Sequence, residues 1–253
     1  MIYIAAHKQF TSLEMDGYIP LQVGAENNID LGYLKDNVGD NISEKNPNYC
    51  ELTGLYWIWK NCNDEYKGLV HYRRYFGKSN LKIGPSNIYT YQEMVKMLET
   101  ADIVLPYLES FKQNAKKEIL INCCTPEIFE CLNNIIISKY PSYKETFDSF
   151  FNSNRASLFN MMFCKKEIFD DYCSWLFDIL FELEKNISLD DLNDYQKRLY
   201  GFLSERLLNV WVIHQHLNVK HVNVTNIEMN LKARITLLRR RMTNQILYSI
   251  QKE

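Results

Sequence analysis

No run of about 18 consecutive apolar side chains occurs among the 253 residues, so nothing in the sequence has the length of a membrane-crossing helix. Positive charge is not in excess. The 29 Lys and Arg stand against 31 Asp and Glu, and a formal charge of -2 supplies no broad cationic surface for nucleic acid. Paired cysteines are missing as well. The seven, at 50, 62, 123, 124, 131, 164 and 173, form no Cys-x-x-Cys and lie mostly in apolar runs, which favours buried thiols over zinc ligands or a disulfide framework. There is no G-x-x-x-x-G-K-S/T loop and no strand leading into G-x-G-x-x-G, which disfavours a P-loop kinase and a Rossmann dehydrogenase. H-E-x-x-H and G-x-S-x-G are also absent, and the Ser204/Glu205 pair has no convincing histidine nearby, so hydrolytic readings are weak. Without repeats, low-complexity tracts or a linker, the economical division is one domain, 1–226, with a helical extension, 227–253.

What is present is a large core. Hydrophobic residues make up 46% and aromatics 13%, which supports a substantial buried core, and 253 residues suffice for one large α/β domain or two small ones. The opening MIYIAAHKQF has a short apolar run cut off by His7 and Lys8, and reads as a first strand rather than a signal peptide, which implies a cytoplasmic protein. Ile19–Gly24 reads as a second strand, and the Asn-, Asp- and Gly-rich stretch from Gly32 to Asn48 as turns. Asn46–Pro47 opens a helix with its apolar stripe at Leu52, Leu55, Tyr56 and Trp59, and Gly68–Tyr72 follows as a strand. Thr90 and Glu93 have capping-box spacing, and Asp102–Pro106 is the next strand. Helices are expected from Thr125 to about Ser138, Lys166 to Glu184 and Tyr195 to Gln215, and strands at Leu158–Cys164 and Lys220–Val224.

The segment richest in chemistry is GLVHYRRYF, Gly68–Phe76. An apolar strand ends at His71, and Arg73 and Arg74 sit between Tyr72 and Tyr75. At the C-terminal end of a parallel strand, arginines offer planar donor sets for phosphate oxygens, with aromatics able to stack on a base or sugar. Along a strand His71 and Arg73 point one way and Tyr72 and Arg74 the other, so all of them share one pocket only if the strand has ended.

The segments Tyr3–Lys8 (YIAAHK), Val23–Ala25 (VGA), GDNIS, CELTGLYWIWKN and GLVHYRRYF within Gly39–Phe76, Asn160–Phe163 (NMMF) and Gly201–Trp211 (GFLSERLLNVW) together resemble a bacterial family of capsular and exopolysaccharide biosynthesis proteins, domain of unknown function 4422. The resemblance implies a nucleotide-sugar glycosyltransferase with a GT-A-like mixed sheet flanked by helices. It also implies a UDP-sugar donor, with galactose or galactofuranose foremost, and a lipid-linked surface polysaccharide precursor as acceptor.

On that resemblance Ala5, Ala6, His7 and Lys8 meet the nucleotide, with Val23–Glu26 as a second wall. Asp40, Asn41 and Ser43 read ribose or sugar hydroxyls, although a local turn network accounts for the same composition. Many GT-A enzymes hold a divalent metal with Asp-x-Asp where this chain has His71-Tyr72-Arg73. Either arginine replaces the metal, or Asp36 or Asp40 supplies it from elsewhere; the first is slightly favoured. Inverting transfer needs one general base, for which Glu205 is the first candidate, with Arg206 expected to face elsewhere and Asp190, Asp191 and Asp194 as substitutes. Asn160 is placed as a sugar-hydroxyl reader. A retaining transferase, and a non-catalytic glycan-binding scaffold, are the alternatives.

Residues 228–251 mix Lys232, Arg234, Arg239, Arg240 and Arg241 with Leu231, Ile235, Leu237, Leu238 and Leu247. That composition fits an interfacial basic helix holding the enzyme at the inner face of the membrane, with a surface salt-bridge role competing.

Overall fold

The computed structural model describes residues 1–11, 14–79 and 85–251. Strand β1 (Ile2–Ala6) is buried along its whole length. Its alternation sends Ile2, Ile4 and Ala6 into one apolar cluster and Tyr3 and Ala5 into another, as expected of a central strand covered on both faces. Then follow β2 (Tyr18–Gln22), β3 (Leu34–Lys35), α1 (Asn46–Tyr49), α2 (Leu52–Asn61), β4 (Tyr66–His71), β5 (Arg74–Gly77), α3 (Tyr91–Met97) and β6 (Ile103–Pro106). The second half adds β7 (Glu109–Ser110), α4 (Ala115–Asn122), α5 (Pro126–Lys139), α6 (Lys144–Asn152), β8 (Arg155–Ala156) and β9 (Met162–Lys165). It closes with α7 (Lys166–Asn186), α8 (Leu199–His214), β10 (Val219–Asn226) and α9 (Leu231–Gln251).

Eight strands form one mixed sheet. β1 lies between β2 and β4 with all three parallel, and β3 extends the edge beyond β2. β9 runs antiparallel to both β4 and β6, and β6 is parallel to β10. β5 returns from β4 and pairs antiparallel with β10. Helices α2 and α4 to α8 cover the Tyr3/Ala5 face with the larger core, and α3 covers the other. The fold is therefore α/β, with a mixed sheet between helical layers. No helix among the described residues is long and apolar enough to cross a membrane.

Most elements sit where apolar periodicity places them, and the Thr90/Glu93 capping box closes reciprocally, at 3.2 and 2.8 Å. Two departures matter for the site. The helix starting at Asn46 breaks at Cys50, which has φ 54°, so α1 and α2 are separate. The expected strand over Leu158–Cys164 begins only at Met162, because Phe159 and Asn160 both turn into positive φ, at 77° and 51°. Helices α4 and α6 and the short β5, β7 and β8 had no counterpart in the sequence reading.

Candidate active site

The C-terminal ends of β1, β2 and β4 open into a cleft of about 820 Å³, lined among others by Ala5, His7, Val23 and His71 to Arg74. That is the crevice where open α/β sheets bind ligands. The strand does end at His71. Tyr72 and Arg73 form a two-residue turn, and His71 pairs with Arg74 across the hairpin. The strand-alternation objection is thereby removed: His71, Arg73 and Arg74 all reach the cleft. Arg74 lies over the Phe159 ring at 4.7 Å, and Arg73 over the Tyr72 ring at 5.5 Å. The Arg73 Nε is buried without a hydrogen-bond partner, and the only carboxylate near its guanidinium among the described residues is Glu228, at 3.8 Å. A buried donor without an acceptor invites an incoming oxyanion. Burial pulls the Arg74 guanidinium below its ordinary range, and neighbouring Arg73 adds to the effect.

Glu205 projects from α8 with its side chain 14% exposed. One carboxylate oxygen accepts the Phe159 N–H at 2.8 Å and the other accepts from Arg206 at 2.6 Å. Arg206 therefore does not face elsewhere: it bridges Glu205 and Glu118, the latter also at 2.6 Å. Asn209 bonds the Glu205 backbone carbonyl rather than the carboxylate. Burial raises the pKa of Glu205, against the pull of Arg206 and the Phe159 N–H.

A second carboxylate, Glu51, escaped the sequence reading. It reaches the cleft because the chain breaks between α1 and α2, and its Oε1 accepts from Asn160 Nδ2 at 2.7 Å. Asn160 is itself 3% exposed and is held by Ser204 and the Gly201 carbonyl, at 2.6 and 3.0 Å. It thus orients Glu51 rather than lining the cleft. His71 Nε2 donates to the Phe159 carbonyl at 2.5 Å, and burial lowers its pKa. The left-handed Phe159–Asn160 pair costs roughly 1–3 kcal/mol per residue, and side chains from the α1–α2 junction, β4 and α8 hold it in place. Arg198, Tyr195 and Phe202 complete the α8 side of the cleft, with Arg198 Nε on Cys50 Sγ at 3.3 Å. Basic and aromatic residues in and just before GFLSERLL were the available signal for these.

Other expected contacts lie elsewhere. Strand alternation turns Ala6 into the α3-side core, so of the four expected residues Ala5 and His7 line the cleft. His7 packs edge-on against Tyr72, and burial lowers its pKa, with Lys8 the next cause. Lys8 is exposed, 5.0 Å from the Tyr72 ring and 3.8 Å from Glu228. Asp40, Asn41 and Ser43 are not among the residues lining the cleft. Asp40 accepts from Tyr56 at 3.0 Å, Asn41 closes a local turn, and Ser43 is buried on Asp36 at 2.5 Å. Asp36, fully buried, accepts four hydrogen bonds, from Gly24, Ala25, Ser43 and Thr53. It pins the Val23–Ala25 turn, and its oxygens are committed there; Asp36 and Asp40 do not fit a metal site on the cleft. Asp190, Asp191 and Asp194 are exposed and outside the cleft lining.

Known proteins carry the same framework. Over 90% of this chain, a solved structure titled WbbM bifunctional glycosyltransferase (apo) superposes with a TM-score of 0.81 and 31% identity. The chain spans 45% of the length of that protein. No curated protein matches. The sequence profile described as domain of unknown function DUF4422 matches residues 1–216, the stretch that builds every wall of the cleft, and the chain belongs to that family.

Proposed function

We propose that the protein is a nucleotide-sugar glycosyltransferase of GT-A-like layout, acting in assembly of a surface polysaccharide. The observation that carries this is the Arg73 and Arg74 pair at the strand ends, with the Arg73 Nε buried and unsatisfied, in one cleft with Glu205 and Glu51. The arginines bind the donor diphosphate and stabilise the charge that grows on it as the bond from the anomeric carbon to phosphate oxygen breaks. Glu205 takes the proton from the attacking acceptor hydroxyl, and the nucleoside diphosphate leaves as an anion needing no acid. Similarity to a glycosyltransferase at 31% identity supports the reaction class. The favoured donor is a UDP-sugar, with galactose in pyranose or furanose form, and inversion follows from one base acting in a single displacement. Glu51 is the reserve base, because it shares the cleft and has no ion-pair partner among the described residues.

Calorimetric titration with UDP, GDP, CDP and TDP is expected to show UDP tightest, and a donor panel to show transfer with inverted product anomer. A preference for GDP removes the choice of base; binding of glycan without release of nucleotide establishes a scaffold instead of an enzyme.

The acceptor we propose is a lipid-linked oligosaccharide at the inner face of the cytoplasmic membrane, reached by peripheral contact through residues 228–251. The residues proposed for that contact are those that α9 leaves exposed. Arg241 is committed to Glu109, and Arg234 is 7% exposed on the Asn226 carbonyl. Ile235, Met242 and Ile246 are 42%, 66% and 59% exposed and recur with Arg239 along one outward stripe of α9. The side chains of Leu231 and Leu247 lie outside the described residues.

A further inference from the structure

Beside the cleft lies a second cavity of about 530 Å³, and the two share Arg74, Leu158 and Phe159 along their common edge. Its far wall is α9, which contributes Leu237, Leu238, Arg240, Arg241 and Asn244. α9 begins at Leu231, beyond the family match that ends at residue 216, so this wall belongs to the chain and not to the family region.

The chemistry of the lining is mixed in a specific way. Five cations border the cavity, Arg74, Lys112, Arg234, Arg240 and Arg241, against two carboxylates, Glu109 and Glu118. Both carboxylates are already neutralised, Glu109 by Arg241 and Glu118 by Arg206. Among the described residues Arg74, Lys112 and Arg240 have no carboxylate within salt-bridge distance, so the cavity carries cationic capacity that the protein itself does not use. The same walls are strongly apolar, with Met229, Leu237 and Leu238 facing Leu158 and Phe111. Two of the lining side chains, Gln113 and Asn244, hold buried amide oxygens without a hydrogen-bond donor. Buried acceptors of that kind are satisfied by O–H groups of a ligand or by water.

We propose that this cavity is the acceptor site, and that it takes a glycan joined through a phosphate or diphosphate ester to an apolar group. The inference rests on the transferase reading of the neighbouring cleft. The glycan hydroxyl that reacts reaches the cleft over the Arg74–Phe159 edge. The ester oxygens meet Arg240 and Lys112, and the apolar group lies along Leu237 and Leu238. Helix α9 thereby sets acceptor preference with residues that the family region does not contain.

The test uses the full chain and three probes below micelle-forming concentration, titrated with and without UDP. They are dodecyl diphosphate, ethyl diphosphate, which lacks the apolar part, and dodecyl glucoside, which lacks the anion. Dodecyl diphosphate is expected to bind at least about tenfold more tightly than either of the others, with UDP present as well as absent. Arg240→Glu and, from the opposite wall, Lys112→Glu are each expected to weaken it about tenfold. Equal affinity for all three probes, displacement of dodecyl diphosphate by UDP, or unaltered affinity in both variants overturns the proposal. Absence of binding by UDP, GDP, CDP and TDP alike overturns the transferase reading instead, so the two failures are told apart.

Discussion

Phe159 donates its backbone N–H to the Glu205 carboxylate at 2.8 Å across 46 residues of sequence. The carbonyl of the same residue accepts from His71 at 2.5 Å. One left-handed peptide segment thus joins the candidate base on α8 to the end of β4, where the arginine-bearing hairpin begins. A displacement of Phe159 would be felt by both, and four properties of the molecule follow from how this junction and its surroundings are built.

Glu205→Gln keeps the shape and still accepts the Phe159 N–H through its amide oxygen, while Arg206 retains Glu118. Transfer is expected to fall by about 100-fold or more, with UDP affinity little changed, the pattern of a group acting only in the transition state. Glu51→Gln is expected to cost less. Single-turnover transfer rates and UDP titration on both variants decide; a wild-type rate in Glu205→Gln together with a large loss in Glu51→Gln moves the base to Glu51.

The two arginines should be unequal but both necessary. Arg73→Ala and Arg74→Ala each remove a charge-assisted contact worth about 1.5–3 kcal/mol, so each is expected to lower turnover at least about tenfold. Arg74 also borders the second cavity, and its loss should raise the KM for acceptor as well as for donor. With arginine in place of a cation, turnover survives chelation. Complete loss with chelator, restored by manganese or magnesium, would show a metal-dependent enzyme.

Stability should respond to pH with opposite signs at two residues. Burial holds His71 below its ordinary 6.5, so the unfolded chain binds more protons there, and stability is lost as pH falls through 6.5 and below. Burial raises Glu205 above its ordinary 4.5, so its stabilising contribution is complete below 4.5 and is lost as pH rises through the folded-state value. Comparing unfolding midpoints between about pH 7.5 and about pH 4.5, His71→Gln is expected to lose less on acidification than wild type, and Glu205→Gln to lose more. Parallel curves for all three proteins would refute the burial-driven shifts at both residues.

Membrane contact, if it uses the outward stripe of α9, should fail on removing that stripe alone. Arg239→Ser with Met242→Ser leaves the Arg241–Glu109 anchor intact, so α9 stays docked. Wild type is expected to float with anionic vesicles at low salt and the double variant to remain at the bottom, since each cation contributes roughly 1 kcal/mol near such a surface. Equal flotation of the two, or none by either, rules out attachment through this face.

Local order was legible in the sequence. The apolar runs of β1 and β4, the Thr90/Glu93 cap and the stripes of α5 and α7 follow from contacts within a few residues, which side-chain periodicity records directly. The strand-end His71-Tyr72-Arg73-Arg74 segment was legible for the same reason, although only the turn at Tyr72 and Arg73 put its side chains in one cleft. Tertiary structure decided the rest. Ser43 could bind a sugar or close a turn until Asp36 was seen to claim it, and Asn160 could read a hydroxyl until Glu51 was found on its amide. Glu51 itself has no local signal, because its exposure to the cleft depends on the Cys50 break, which the sequence pattern of a continuous helix conceals. The Arg241–Glu109 contact spans 132 residues. Which of five basic residues on α9 faces solvent is settled by that docking, since a helix of mixed polarity has no preferred inward face until something packs against it.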